Sequence, residues 1–416
     1  MVTLGVRTRV PGRRRFGGIF SGDYGTFYAL FGFGFLFTAF FNLDRWHRIL
    51  FGQSTADFPA VLGLLAICLA FAWRVMLRRG FVWAEPAELT WLDFARADRR
   101  RVVGARLLVV WSAVVLAAGY AVALVVAAGG GGRGVWTAGI ALVAACAVLI
   151  FATARRTALR ADVAGPLVLA VTGLVIAAAA LGPLTVQYVA GGVLIVACGL
   201  ALGGEPVTGA GRLTLVEGWN VRVLRAVAVT FMDPMLVLPE SAPVGRLSLR
   251  RPTALRLAWA GFAGRTRYLG AAVLLALGVA VARVAVPTLP AAILVGLGAF
   301  IALVPFGGGL GVLWRNPGRR RWLATSDWEL RLTHGLLLAV LALGWSALLA
   351  AVSLLVGATV PAVVWLAVPL AVLAVLRAVT RKEMDYTDGR GFSMARQFVR
   401  GVDVLVIGIL VLSVKG

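Results

Sequence analysis

The sequence predicts an all-α fold: a polytopic transmembrane helical bundle of about eleven spans in two repeated halves. Three observations predict it. The 416 residues are 60% hydrophobic with a mean hydropathy of +0.91, more apolar surface than a soluble core needs, and several runs are almost free of charge over roughly 18 residues, the length that crosses about 30 Å of hydrocarbon. Basic residues fall almost entirely on one side of those runs. A charged, Trp-bearing stretch interrupts the apolar pattern twice, at similar places.

The spans follow in order. The first is Thr26–Phe41, rich in Phe and Gly. Phe58–Trp73, Leu107–Ala128, Val135–Thr153, Pro166–Leu181 and Leu184–Leu202 complete a first half. Tyr268–Val286, Leu289–Phe306, Leu336–Val356, Val360–Leu376 and the short Val402–Val414 form a second. The chain thus divides into a first transmembrane half (1–203, six spans), a cytoplasmic linker (204–267) and a second half (268–416, four to five spans). Within the linker, 215–240 reads as an interfacial amphipathic helix that carries Arg222 and Arg225 and ends at Asp233-Pro234.

Charge orients the bundle. With the N-terminus cytoplasmic, all 41 Lys and Arg except Arg45, Arg48, Arg133, Arg283 and Lys415 lie inside, as the positive-inside bias requires. The opening MVTLGVRTRVPGRRRFGG has basic residues with no apolar run directly after them, so it does not read as a cleaved signal peptide. Multi-pass insertion in the plasma membrane follows. A net charge of +23 is then a topology signal and a contact for anionic lipid. Nucleic-acid binding is not expected, because no aromatic-rich basic module accompanies the charge. Arg74 and Arg283 sit near span ends, where they can snorkel. Cys68, Cys146 and Cys198 fall within apolar runs and read as small buried hydrophobes. GGGGRG (129–134) reads as a flexible outer connector, and FGGGLG (306–311) as a loose end to the eighth span.

The interrupting stretches are WAEPAELTWLDFARADRRR (83–101) and WRNPGRRRWLATSDWELRL (314–332). At an offset of 231 they share W-x-x-P-x-x-x-x-W-L: Trp83 with Trp314, Pro86 with Pro317, Trp91 with Trp322, Leu92 with Leu323. Each follows the second span of its half and leads into a long span. Pro86 suits the first turn of a helix running to about Phe94, with Glu85 and Glu88 near its positive end. Ser326 or Thr325 suits the cap of the next helix, with Asp327 and Glu329 in its first turn. Trp91 and Trp322 are expected to anchor each loop at the membrane face.

The run WAEPAELTWLDFARADRRRVVGARLLVV resembles the first cytoplasmic loop of ABC-2-type exporter permeases, where a short acidic helix ends in a basic turn and R-x-x-x-x-x-R-L-L opens a membrane helix. RRWLATSDWELRLTHGLLLAV looks like a second copy. The chain is similar to actinobacterial membrane proteins assigned as ABC exporter permeases. This resemblance implies a non-catalytic transport subunit whose loops dock on separate P-loop ATPase subunits. The partner binds the ATP, the chain itself has no cofactor, and the exported substrate is not named. Trp83, Pro86, Glu88, Trp91, Arg99, Trp314, Pro317, Trp322, Asp327 and Arg331 are the implied coupling residues. Five spans in the second half, where six are expected, depart from two-fold equivalence.

Other chemistry is sparse. No G-x-x-x-x-G-K-[ST] occurs, so the chain has no P-loop of its own. His47 and His334 lack zinc spacing, and His334, at the start of a span, reads as structural rather than as a proton relay. No G-x-S-x-G occurs. Asp403 reads as interfacial. The acids of RKEMDYTDGRG (381–391), Glu383, Asp385 and Asp388, read as a solvated loop. They also leave open a membrane enzyme acting on a lipid carrier. A secondary transporter or channel is the other alternative, and it normally needs intramembrane acids that this chain has few of.

Overall fold

A computed structural model of the chain describes residues 34, 37–94, 99–156, 164–201, 207–230, 253–323, 325–380 and 401–415. Among them the regular elements are all helical. Eight helical segments are long and apolar enough to cross a membrane, and two further apolar helices are shorter. The chain is a multi-pass membrane helical protein. Most of the expected first span, Thr26–Phe41, lies outside the described residues, as do 231–240 of the linker and the whole acidic stretch 381–391.

Helix α1 (Leu43–Leu50) precedes α2 (Phe58–Leu77). The Asp57 side chain accepts from the Ala60 amide and Pro59 lies in the first turn, so the start of α2 is capped by local chemistry. Next come α3 (Pro86–Phe94), α4 (Arg99–Ala128), α5 (Arg133–Ala154), α6 (Ala164–Ala178) and α7 (Pro183–Ala201). The linker contributes α8 (Arg212–Thr230) and α9 (Ala254–Ala263). The second half holds α10 (Leu269–Ala285), α11 (Ala291–Arg315), α12 (Pro317–Arg321), α13 (Asp327–Leu355), α14 (Ala367–Val379, preceded by the 3-10 turn Ala362–Leu366) and α15 (Val402–Lys415).

Packing centres on α2 in the first half and α11 in the second. Helix α2 meets α4, α5 and α6, and α4 meets α5. Helix α11 meets α13, α14 and α15, and α13 meets α14. The halves join where α2 and α6 pack on α10. Small residues set the closest approaches. A methyl on Gly63 would lie 2.4 Å from the Gly173 carbonyl oxygen, and one on Gly173 would lie 2.5 Å from that of Gly63, so α2 and α6 touch backbone to backbone. This is how helices associate where lipid offers no hydrophobic drive.

Several expectations change. FGGGLG is not a loose end, since α11 runs unbroken through it to Arg315. The glycines are packing surface: a methyl on Gly307 would meet Val375 at 2.8 Å, and one on Gly309 would meet the Gly261 backbone at 2.9 Å. Tertiary packing here outweighs the low helix propensity of glycine. Arg74 does not snorkel, because α2 extends to Leu77. Arg74 is therefore 6% exposed and donates to the Arg267 carbonyl at 2.5 Å, in the seam between the halves. Arg283 is half-buried and donates to the Leu289 carbonyl at 3.0 Å. Of the cysteines only Cys146 is buried; Cys68 and Cys198 face the surroundings of the bundle, as small apolar groups can where those surroundings are lipid. His334 lies about two turns inside α13, which starts at Asp327. Helix α1 and helix α9 were not anticipated; Thr253 caps the latter. Asp403 pairs with Arg377 at 2.8 Å near the start of α15.

Candidate functional site

Helix α3 starts at Pro86, whose fixed φ and missing amide suit a first helical position. It turns Leu89 inward, fully buried, and leaves Trp91 75% and Phe94 79% exposed. Its acids do not serve the helix start alone. Glu88 pairs with Arg106 of α4 at 2.9 Å. Asp93 accepts from Arg99 and, at 3.2 Å, from Arg212 of α8, which also donates to Thr90. Half-exposed pairs of this kind contribute little singly, but together they brace α3 from both flanking helices.

Trp83 is the pivot of this brace. The Arg106 guanidinium stands 3.6 Å from its ring centre and that of Arg222 stands 4.1 Å away. Arg106 also donates to the Trp83 carbonyl, and Trp219 packs on the ring at 5.3 Å. The backbone joins in, because the Ala84 amide donates to the Leu215 carbonyl at 3.1 Å. Gly218 makes the approach possible, since a methyl there would sit 2.0 Å from the Val82 carbonyl oxygen.

The second stretch uses a different set of residues around Trp314. Arg320 and Arg331 each lie 4.4 Å from the Trp314 ring centre, and Arg320 pairs with Asp327 at 2.9 Å. Pro317 opens α12, only five residues long. Ser326 and Glu329 form a capping box at the start of α13, the reciprocal arrangement that satisfies two orphan amides. Trp322 is 88% and Trp328 69% exposed. In both stretches, then, the first Trp of the shared pattern has two guanidinium groups within 4.4 Å of its ring centre and the second stands exposed. Thr325 lies beside the cap but does not make it.

The expected residues thus separate by role. Trp83, Glu88 and Arg99 are joined in one brace, and Trp314, Asp327 and Arg331 in another. Trp91 and Trp322 form no part of either. Sequence reading missed Arg106, Arg212, Trp219 and Arg320 as partners. Arg106 carried a signal as the second Arg of R-x-x-x-x-x-R-L-L, whereas Arg212 is 119 positions from Asp93 and carried none.

An apolar groove of about 420 Å³ lies between α2, α5, α6 and α7, lined by Trp73, Leu149, Thr153, Gly165, Val168 and Val196 among others. Its polar edge is satisfied: the Trp73 indole donates to the Thr153 hydroxyl at 2.8 Å. Among the described residues no group of three or more His, Cys, Asp or Glu is placed to hold a metal ion. No family model, no curated protein and no solved structure matches the chain.

Proposed function

We propose that the chain is the membrane-spanning permease subunit of an ATP-driven ABC-type exporter, with 83–101 and 314–332 as the loops that couple it to separate P-loop ATPase subunits. The observation that carries this reading is the repeated arrangement of an Arg-clamped Trp next to an exposed Trp. A loop that transmits force needs a rigid base fixed to the membrane helices and an aromatic surface to offer a partner. Trp83 and Trp314 supply the base; Trp91 and Trp322 supply the surface. Exposed aromatics of this kind are characteristic anchors of protein interfaces.

Eleven spans in two repeated halves belong to the same reading. The shift of 231 that aligns the two loops also sets α2 on α11, α4 on α13 and α5 on α14. The helix pairs that touch in the first set touch again in the second. Six crossings separate the two loops in this topology, so both face the cytoplasm with the N-terminus, at the plasma membrane. The unmatched α7 is the departure from two-fold equivalence. The apolar groove beside α7 favours a hydrophobic or amphipathic cargo.

The test is site-specific photo-crosslinking from positions 91 and 322 in native membranes. Capture of a protein carrying G-x-x-x-x-G-K-[ST] at both positions is the expected result. Capture of lipid alone at both contradicts the reading.

A further inference from the structure

We infer that the gap between α6 and α7 is a binding site for the acyl chain of an anionic phospholipid, whose phosphate lies at the arginine-bearing end of the groove. The inference rests on the membrane assignment and is independent of the exporter reading.

The gap follows from how the helices pair. Helix α6 packs on α2 and α7 packs on α5, while α6 and α7, consecutive in the chain, barely touch each other. Gly165 lets α6 settle on Trp73, because a methyl there would lie 2.6 Å from the indole ring. Gly192 of α7 keeps the gap open, with no atom within 4 Å of an added Cβ. The resulting groove holds about 420 Å³. Exposed Val168 and Val196 stand at its rim, and buried Trp73, Leu149 and Leu169 form its floor. It therefore reaches into the bundle rather than lying on its surface.

Chemistry selects hydrocarbon as the occupant. Three lining side chains carry polar atoms, Trp73, Thr153 and Thr172, and each is satisfied within the protein. The Trp73 indole donates to the Thr153 hydroxyl at 2.8 Å, and that hydroxyl donates to the Leu149 carbonyl at 2.8 Å. The Thr172 hydroxyl donates to the Val168 carbonyl at 2.9 Å. Water stays in such a space only where polar groups still need partners, and these do not. An unfilled gap would forfeit the dispersion contacts of its walls. An alkyl chain meets both conditions.

Position selects a phospholipid and its orientation. Along α7 the lining runs from Gly192 to Leu200, about 12 Å, most of the roughly 15 Å of hydrocarbon in one leaflet. The groove ends near Leu77, Thr153, Gly165 and Leu200, where α2, α5 and α7 stop and α6 begins. The connectors at that end are 78–85, 155–163 and 202–211. They carry Arg78, Arg79, Arg155, Arg156 and Arg160 against Glu85, Asp162 and Glu205, five positive charges against three negative. Arg78 and Arg155 are exposed, one residue beyond Leu77 and two beyond Thr153. A chain lying in the groove thus places its phosphate at the level of these arginines, and basic sites at the ends of spanning helices favour anionic headgroups.

The experiment is photolabelling of the full chain in phosphatidylcholine nanodiscs that contain a trace of phosphatidylglycerol or phosphatidylcholine with a diazirine in one acyl chain, the labelled residues being mapped by mass spectrometry. The phosphatidylglycerol label should concentrate on Val168, Val193 and Val196, in excess over Val171 and Ile195, which are exposed on the same helices outside the groove. Gly192→Leu fills the groove without a clash and should remove that excess. Gly191→Leu, one residue away, is equally unobstructed and does not line the groove, so it should leave the excess unchanged. The phosphatidylcholine probe should label the groove about fivefold less, and combined Arg78→Gln and Arg155→Gln should erase that difference. Label spread evenly over exposed positions in the wild type overturns the site, as does full groove labelling in Gly192→Leu. Equal groove labelling by the two probes in the wild type overturns the anionic assignment.

Discussion

The Arg106 guanidinium lies 3.6 Å from the centre of the Trp83 ring, and its other contacts bind both ends of the same loop. It donates to the Trp83 carbonyl and pairs with Glu88, two residues into α3 from Pro86. One side chain of a spanning helix therefore fixes ring, backbone and loop helix together. Arg222 holds the ring from α8 at 4.1 Å and makes no such second contact with α3.

From this follows an unequal response to removing the two cations. Arg106→Met deletes a stacked cation, a carbonyl contact and an ion pair while keeping an apolar stem. Hydrogen bonds to charged groups contribute about 1.5–3 kcal/mol, so a loss of roughly 2–3 kcal/mol in unfolding free energy is expected. Arg222→Met should lose clearly less. Urea unfolding in mild detergent, followed by Trp fluorescence, measures both; equal losses would show that Arg106 has no special place.

Backbone contact between α2 and α6 makes Gly173 sensitive to a single methyl. Gly173→Ala places a carbon 2.5 Å from the Gly63 carbonyl oxygen, and overpacking of this kind costs about 1–3 kcal/mol. Gly119→Ala, within α4 and with nothing inside 4 Å, should be neutral or slightly stabilising, since helical Gly is less favourable than Ala by roughly 1 kcal/mol. Thermal unfolding of the two variants side by side distinguishes them. A Gly173→Ala protein as stable as wild type would contradict the close approach.

Ser326 and Glu329 cap α13 reciprocally, with the Glu329 amide 3.1 Å from the Ser326 hydroxyl. Ser326→Ala should weaken the helix start by about 1 kcal/mol, and Ser326→Asp should retain most of the cap. Hydrogen exchange over 327–332 reads this directly: faster exchange in the Ala variant and near-wild-type exchange in the Asp variant.

Sidedness gives a further expectation. Cysteines placed at Gly132 and at Gly318, in a background lacking Cys68, Cys146 and Cys198, should react with an impermeant maleimide from opposite faces of the membrane. Neither position has an atom within 4 Å of an added Cβ, so the labels are sterically free. Reaction from one face only would break the proposed topology.

The spans and helix starts are legible in the sequence because their causes are local. Apolar run length marks α2, α4, α5, α11 and α13, and Pro86 and Ser326 mark helix starts with side chains a few residues away. The misses have causes that are remote in sequence. Nothing near Gly307, Gly308 and Gly309 tells that they are helical, because their neighbours are Val375, Arg265 and Gly261. Arg74 reads as a snorkelling cation until Arg267 is placed beside it. The clamp on Trp83 draws on Arg222 of α8, and the brace on Asp93 draws on Arg212. No periodicity links α3 to that linker helix. Helix α1 was hidden because LDRWHRIL has charges on half its turn and an apolar face on the other, at a length of eight residues.

The exporter reading stands or falls on physical association with an ATPase. The decisive measurement is co-purification of a P-loop ATPase with the chain at matched membrane expression. Wild type is compared with Trp91→Ala, Trp322→Ala, Arg99→Ala and a variant with both 83–101 and 314–332 replaced by neutral polar loops. Loss of a packed aromatic anchor costs about 2–4 kcal/mol at an interface, so each Trp variant should lose most of the bound ATPase. Arg99→Ala should lose little, since its half-exposed pair with Asp93 contributes about 1 kcal/mol or less. The double-loop variant should insert in the membrane and retain none. If it retains the ATPase at the wild-type level, the loops are interfacial anchors only and the chain is not coupled through them.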